Sequence, residues 1–283
     1  MTVSLLLALV SAVLFGVWQF GIGQYRGSVP REMVVFISSV AAGITYLTLG
    51  LATGEFVLNS LDIVNGVIGG ALNVSGTLLI LKAYENGKMG VVTGVGATFA
   101  LVPLAYSFVL GESIGPMGAY GLALIVVGLL IFYIPAVMEK SSDEATSVQS
   151  IATALLAAVC WGLAVVVLDV GTRASITGTM FMSQIPQVLV ALVLALFIKK
   201  VWGGPPRRSF IVIIGTGLAL ALGQIAFFAA ANEGDIGVVS VLGSLSPLVT
   251  TLLAFVILRE KIRRFETVAL FVVVVGTCLI AVA

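Results

Sequence analysis

The chain has 283 residues, 60% of them AVILMFWYC and only 10% charged, with a mean hydropathy of +1.20. Soluble domains carry roughly 25% charge, so this composition cannot coat a water-exposed surface. Fourteen Lys+Arg against thirteen Asp+Glu leave a net charge of +1, which builds neither a basic face for nucleic acid nor a disordered acidic tail. Histidine is absent, which removes Ser/His/Asp triads, Ser/His dyads and HExxH zinc sites together, and Cys160 and Cys278 both lie inside apolar runs and form no disulfide scaffold.

Ten apolar runs follow in order, each near the roughly 20 residues that a helix needs to cross a bilayer. The first, Val3 to Phe20, lacks a basic leader and a small-residue cleavage site and is expected to be a retained helix. It places Gln19 beside Ala12 and Gly16, with Trp18 as either an interfacial belt residue or a cavity wall. A turn with Arg26, Pro30 and Arg31 leads to Met33 to Ala52, and then to Ile63 to Ala83. That third run carries a stripe at i, i+3, i+4, i+7 spacing: Gly66, Gly69, Gly70, Asn73, Gly76 and Thr77. Small residues let helix backbones pack closely, and Asn73 adds an amide near the middle of the span. Met89 to Leu110 and Met117 to Val137 complete a first half, residues 1–138, and the charged segment 139–147 reads as a linker.

The second half, residues 148–283, begins with Val148 to Leu168, which holds Trp161 at depth. Met180 to Ile198 contributes Gln184 and Gln187, and Phe210 to Ala231 contributes Gln224. Ile236 to Leu258 repeats the stripe design in Ser240, Gly243, Ser244, Pro247 and Thr251, and its mid-run proline frees a backbone carbonyl, as at transporter binding sites. Thr267 to Ala283 is the tenth run.

Anchors recur between the halves. Ala12-x-x-x-Gly16 returns as Ala158-x-x-x-Gly162 after 146 residues, and Gly87-x-x-Gly90-Val91-Val92 returns as Gly234-x-x-Gly237-Val238-Val239 after 147. Glu112 returns as Glu260, and Val126-Val127-Gly128 as Val274-Val275-Gly276, both after 148. Because each half holds five helices, an odd number, the second must enter the membrane upside down relative to the first. The expected fold is therefore an all-α integral membrane protein with ten transmembrane helices in two inverted five-helix repeats. Loops after the odd-numbered runs hold thirteen of the fourteen Lys+Arg, and Arg173 alone lies on the other side. By the positive-inside rule both termini are extracytoplasmic at the cytoplasmic membrane.

With these motifs in place, the chain resembles the EamA-like carriers of the drug/metabolite transporter superfamily and, within it, the sugar-porter-like branch. The resemblance rests on Phe15-Gly16 and Trp161-Gly162, on Leu81-Lys82-Ala83-x-x-x-Gly87, and on the stretch Ser240 to Pro247 running into Leu258-Arg259-Glu260. The first half departs from the pattern, with Ala100 where the second half has Pro247, and Pro103 nearby. The resemblance implies alternating access by two inverted halves, with the fifth and tenth helices on the periphery. It also implies cytoplasmic termini, against the Lys/Arg count.

No Asp, Glu, His, Lys or Arg falls mid-run; Asp62, Lys82, Glu85 and Asp169 lie within about a turn of a run's end. The chain therefore reads as a secondary transporter, not an enzyme and without a cofactor, for a small polar uncharged or zwitterionic metabolite such as a sugar, polyol or amino acid. The alternatives are a proton-coupled exporter and a channel. Candidate substrate contacts are Gln19, Asn73, Thr77, Trp161, Gln184, Gln224, Ser244 and Pro247, and each amide among them is as well suited to interhelical bonding. The expected partners are a small-molecule solute and the lipid bilayer, with no nucleic acid; a homodimer stays open.

Overall fold

The computed structural model describes residues 2–24, 29–85, 87, 92, 95–111, 115–138, 148–198 and 205–258, with single positions at 265, 268, 271, 272, 275, 276 and 279. Among them the regular structure is entirely helical. In chain order the helices are α1 Thr2–Gly23, α2 Arg31–Thr53, α3 Ser60–Glu85, α4 Leu101–Val109, α5 Pro116–Met138, α6 Val148–Thr172, α7 Ile176–Val193, α8 Arg207–Glu233, α9 Ile236–Gly243 and α10 Ser246–Leu258. A 3₁₀ turn, Thr98–Ala100, leads into α4, and a π turn, Leu194–Ile198, closes α7.

The expectation of ten membrane helices is met in part. Seven spans among the described residues are long and apolar enough to cross a bilayer, the last of them formed by α9 and α10 together. The fourth and fifth runs supply shorter apolar stretches, Val95–Val109 and Pro116–Gly128. The tenth run lies largely outside the described residues, as do the linker 139–147, Glu112, Arg259 and Glu260.

Side-chain chemistry explains how α1 sits. Its 22 residues span about 33 Å at 1.5 Å per residue, enough for the hydrocarbon layer. Val3, Leu6, Val10, Val13 and Val17, spaced three or four apart, are exposed, while Ser4, Ala8, Ser11, Ala12 and Gln19 are buried. Large aliphatic side chains thus face outward and small or polar ones inward, the reverse of a soluble amphipathic helix.

Polar caps make several helices longer than their apolar runs. Ser175 accepts from the Gly178 N–H at 3.0 Å and starts α7 four residues before the run begins. Asn59 and Asp62 exchange backbone-to-side-chain bonds of 2.9 and 3.0 Å, a reciprocal capping arrangement at the start of α3.

The ninth run is broken at mid-span. Ser244 and Leu245 form a turn between α9 and α10, and Pro247, in the first turn of α10, has no N–H to return to the preceding helix. The 3₁₀ turn Thr98–Ala100 interrupts the fourth run at the matching place, 147 residues earlier.

Packing repeats in the same way. α3 lies chiefly on α6, and α1 chiefly on α8; exchanging the halves turns one pair into the other. A Cβ on Gly16 would meet the Ser246 carbonyl oxygen and Val249, and one on Gly162 would meet the Phe99 carbonyl oxygen and Val102. Gly76 backs onto Trp161 and Gly223 onto Phe15, while Gly70 and Gly217 abut Ser183 and Ser38. Each of these contacts has a counterpart in the other half, at offsets of 145 to 147 residues. The glycines of the third-run stripe serve this close approach.

Candidate solute cavity at the centre of the bundle

The interrupted helices and the glycine contacts bring α1, α3, α6, α8 and the Ser246 end of α10 around a central cavity of about 90 Å³. Four of the expected residues line it: Gln19, Asn73, Trp161 and Gln224. Trp18 is buried and is a cavity wall, so its belt reading falls away. Its ring meets Trp161 edge-on at 6.2 Å between centroids.

The other four expected residues sit elsewhere. Thr77 stands behind the wall: its hydroxyl donates to Asn73 Oδ1 and receives the Trp161 indole N–H, both at 3.4 Å. It also lines a smaller chamber beside the main cavity, together with Trp18, Gln187 and Leu220. Gln184 is buried within α7, where its amide donates to Ser183 Oγ at 2.9 Å and its carbonyl accepts from Gln187 at 3.2 Å. Ser244 donates to the Val241 carbonyl at 2.7 Å, and Pro247 is buried at the helix break; neither lines the cavity.

Three features were not legible in the chain. Phe99, Phe227, Phe228 and Leu220 contribute wall surface, and Ser246 lines the cavity in place of Ser244. Phe99 lies 147 residues before Ser246, so the repeat offset linked the two positions. Tyr46 on α2 is fully buried and donates its hydroxyl to Gln224 Oε1, an interaction between helices 178 residues apart that no local pattern announces.

Among the described residues, no ionisable side chain lines the cavity. The carboxylates stand toward helix ends. Asp62 is fully buried and accepts from Thr179 on α7 at 3.2 Å as well as from its cap. Asp169, 1% exposed, takes Arg173 at 2.9 Å through Oδ2, while its Oδ1 accepts nothing from a described residue. At the opposite ends of the helices, Arg31 bridges the buried Glu32 and Glu85, each at 3.2 Å, and so ties α2 to α3.

Residues 149–282 match the model of the EamA-like transporter family. The match covers 134 of the 283 residues, all of them in the second half of the chain. A protein of Clostridium kluyveri described as an uncharacterized transporter is 22% identical over 261 residues, covering 88% of this chain and 82% of its own length. That alignment extends well beyond residues 149–282 into the first half. A solved structure titled "Crystal structure of protein" superposes with a TM-score of 0.79 at 18% identity, over 99% of this chain and 96% of its own, which shows the shared fold. With seven described helices long and apolar enough to cross a membrane, the chain is a multi-pass membrane protein, and the segment that matches the EamA-like transporter model supplies Trp161, Gln224 and Ser246 to the cavity.

Proposed function

We propose that the protein is a ten-helix secondary carrier, built of two inverted repeats, 1–138 and 148–283, that moves a small uncharged or zwitterionic metabolite across the cytoplasmic membrane by alternating access. The observation that carries this reading is the central cavity, lined from both halves by amides and aromatic rings and by no ionisable side chain among the described residues. A solute with net charge would enter a low-dielectric space without a counter-charge. The mirrored packing of α3 on α6 and α1 on α8 supports a rocking of one half against the other around that space. The Lys/Arg count supports extracytoplasmic termini.

The test is counterflow in proteoliposomes: saturable, electroneutral exchange of a neutral solute, nearly flat between pH 6 and 8. Flux that never saturates would make the protein a channel. Orientation is checked by single cysteines at Ala174 and Ser209 in a background lacking Cys160 and Cys278. An impermeant thiol reagent added to intact cells labels position 174 and spares 209; the reverse pattern places the termini in the cytoplasm.

One observation favours a second reading, proton-coupled export. Asp169 is buried with one carboxylate oxygen that has no partner among the described residues, an arrangement that suits a group which gains and loses a proton. Solute accumulation driven by an imposed pH step and abolished in Asp169→Asn would establish that reading in place of the first.

A further inference from the structure

The cavity stands on a duplicated frame, yet its two halves differ in chemistry. Phe15 and Trp161 occupy matching positions 146 residues apart, and both line it. At the next matching positions the first half has Gln19 where the second has Val165, and Asn73 where the second has Leu220; all four line the cavity. Each of these two amides therefore has an apolar counterpart. A solute polar over its whole surface would leave the apolar half of this lining against its hydroxyls.

The free atoms of the amides sharpen the point. Gln224 has its carbonyl oxygen taken by the Tyr46 hydroxyl, and Asn73 has its own taken by the Thr77 hydroxyl at 3.4 Å. Gln19 Oε1 lies 3.3 Å from the Thr250 hydroxyl, which shares its single proton with the Gly16 and Ser246 carbonyls. None of the three amide nitrogens donates to a described residue, although Gln19 and Gln224 are only 9% and 7% exposed. What the cavity offers a ligand is chiefly these amide N–H donors, which have no partner among the described residues, beside the one remaining lone pair on each engaged amide oxygen. A sugar or polyol brings a proton on every hydroxyl, more than these few amide oxygens can accept, and an ammonium group would find no counter-charge among the described lining residues. Around these donors stand six aromatic rings, Phe15, Trp18, Phe99, Trp161, Phe227 and Phe228, which favour flat π surfaces by stacked and edge contacts.

We propose that the cavity binds a flat, uncharged aromatic or heteroaromatic molecule whose rim carries carbonyl oxygens or ring nitrogens as hydrogen-bond acceptors. This rests on the carrier reading above for the cavity being the transport site, and the two are separable by experiment.

The full chain, purified in detergent, is titrated with nicotinamide and benzamide, with binding followed by calorimetry and by the thermal shift. Cyclohexanecarboxamide keeps the amide and loses the ring, nicotinate and benzylamine add a charge of either sign, and glucose represents polyols. Saturable binding of both aromatic amides is expected, with cyclohexanecarboxamide weaker by roughly 2- to 10-fold and no saturation by nicotinate, benzylamine or glucose over the same range. Gln224→Met loses the donor but strands the Tyr46 hydroxyl, so the decisive variant is the Tyr46→Phe/Gln224→Met double substitution, which removes both polar atoms together. It should keep the unliganded melting temperature near that of the parent and weaken nicotinamide about fivefold. Glucose or a charged probe binding as tightly as nicotinamide, the absence of saturable binding by either amide, or an undiminished affinity in a folded double variant would each overturn the proposal. Counterflow in proteoliposomes separates the two readings. Exchange of glucose without nicotinamide sinks the ligand class and keeps the carrier, whereas nicotinamide binding without any exchange keeps the ligand class and sinks the carrier.

Discussion

The two halves of the molecule share packing contacts and differ in cavity chemistry, and the difference separates what helix packing must keep from what it is free to change. Gly16 and Gly162 admit equivalent backbone neighbours, Ser246 and Phe99, and at neither place would a Cβ fit without movement. Those positions hold the interrupted helices against α1 and α6. Two and three residues along the same helices, the lining is free to diverge: Trp18 is matched by Ala164, and Gln19 by Val165. Packing constrains shape, and the solute constrains polarity.

The largest effect expected from this comparison is on the shared contacts. Gly16→Ala and Gly162→Ala each press a methyl group onto a backbone carbonyl, which costs about 1 to 3 kcal/mol for overpacking. Thermal unfolding in detergent should show both variants destabilised by similar amounts. A large loss at one and none at the other breaks the equivalence of the halves.

The next effect falls on the divergent positions. Asn73→Leu makes the first half resemble the second, and a ligand acceptor left unpaired there costs about 1 to 3 kcal/mol, roughly 5- to 150-fold in affinity. Expression and melting should stay near the parent's, because the amide's one described bond is the long one from Thr77. A folded variant with unchanged transport removes Asn73 from the site; a variant that fails to fold assigns it to packing. Leu220→Asn, the reciprocal change, places a second amide at the matching position and should weaken an apolar ligand by a smaller factor.

The smallest effect concerns the matched aromatic pair. Trp161→Phe gives α6 the ring that α1 already has in Phe15 and deletes the indole N–H bond to Thr77. At 3.4 Å that bond is long, so about 0.5 kcal/mol, or two- to threefold in affinity, is the expected loss. A much larger loss in binding would mean that the Trp18–Trp161 edge contact itself shapes the cavity.

Composition and periodicity determined much of this protein without coordinates. An apolar run of sufficient length must satisfy its own backbone as a helix in lipid, so seven long spans follow from local sequence, and their loops follow from charge, Gly and Pro. Depth along a run is also local information, and it sufficed to select Gln19, Asn73, Trp161 and Gln224 as cavity residues. The azimuth of a side chain is not local. Gln184 and Ser244 are polar residues of the same kind of run, yet helix packing turns them away from the cavity, and Gln184 bonds within its own helix while Ser244 bonds the carbonyl of α9 behind it. Helices that are apolar on nearly every face carry little periodic signal to say which side points inward. Tyr46 became part of the site only because α2 packs on α8 and delivers its hydroxyl to Gln224, an encounter decided by how two helices far apart in the chain come together.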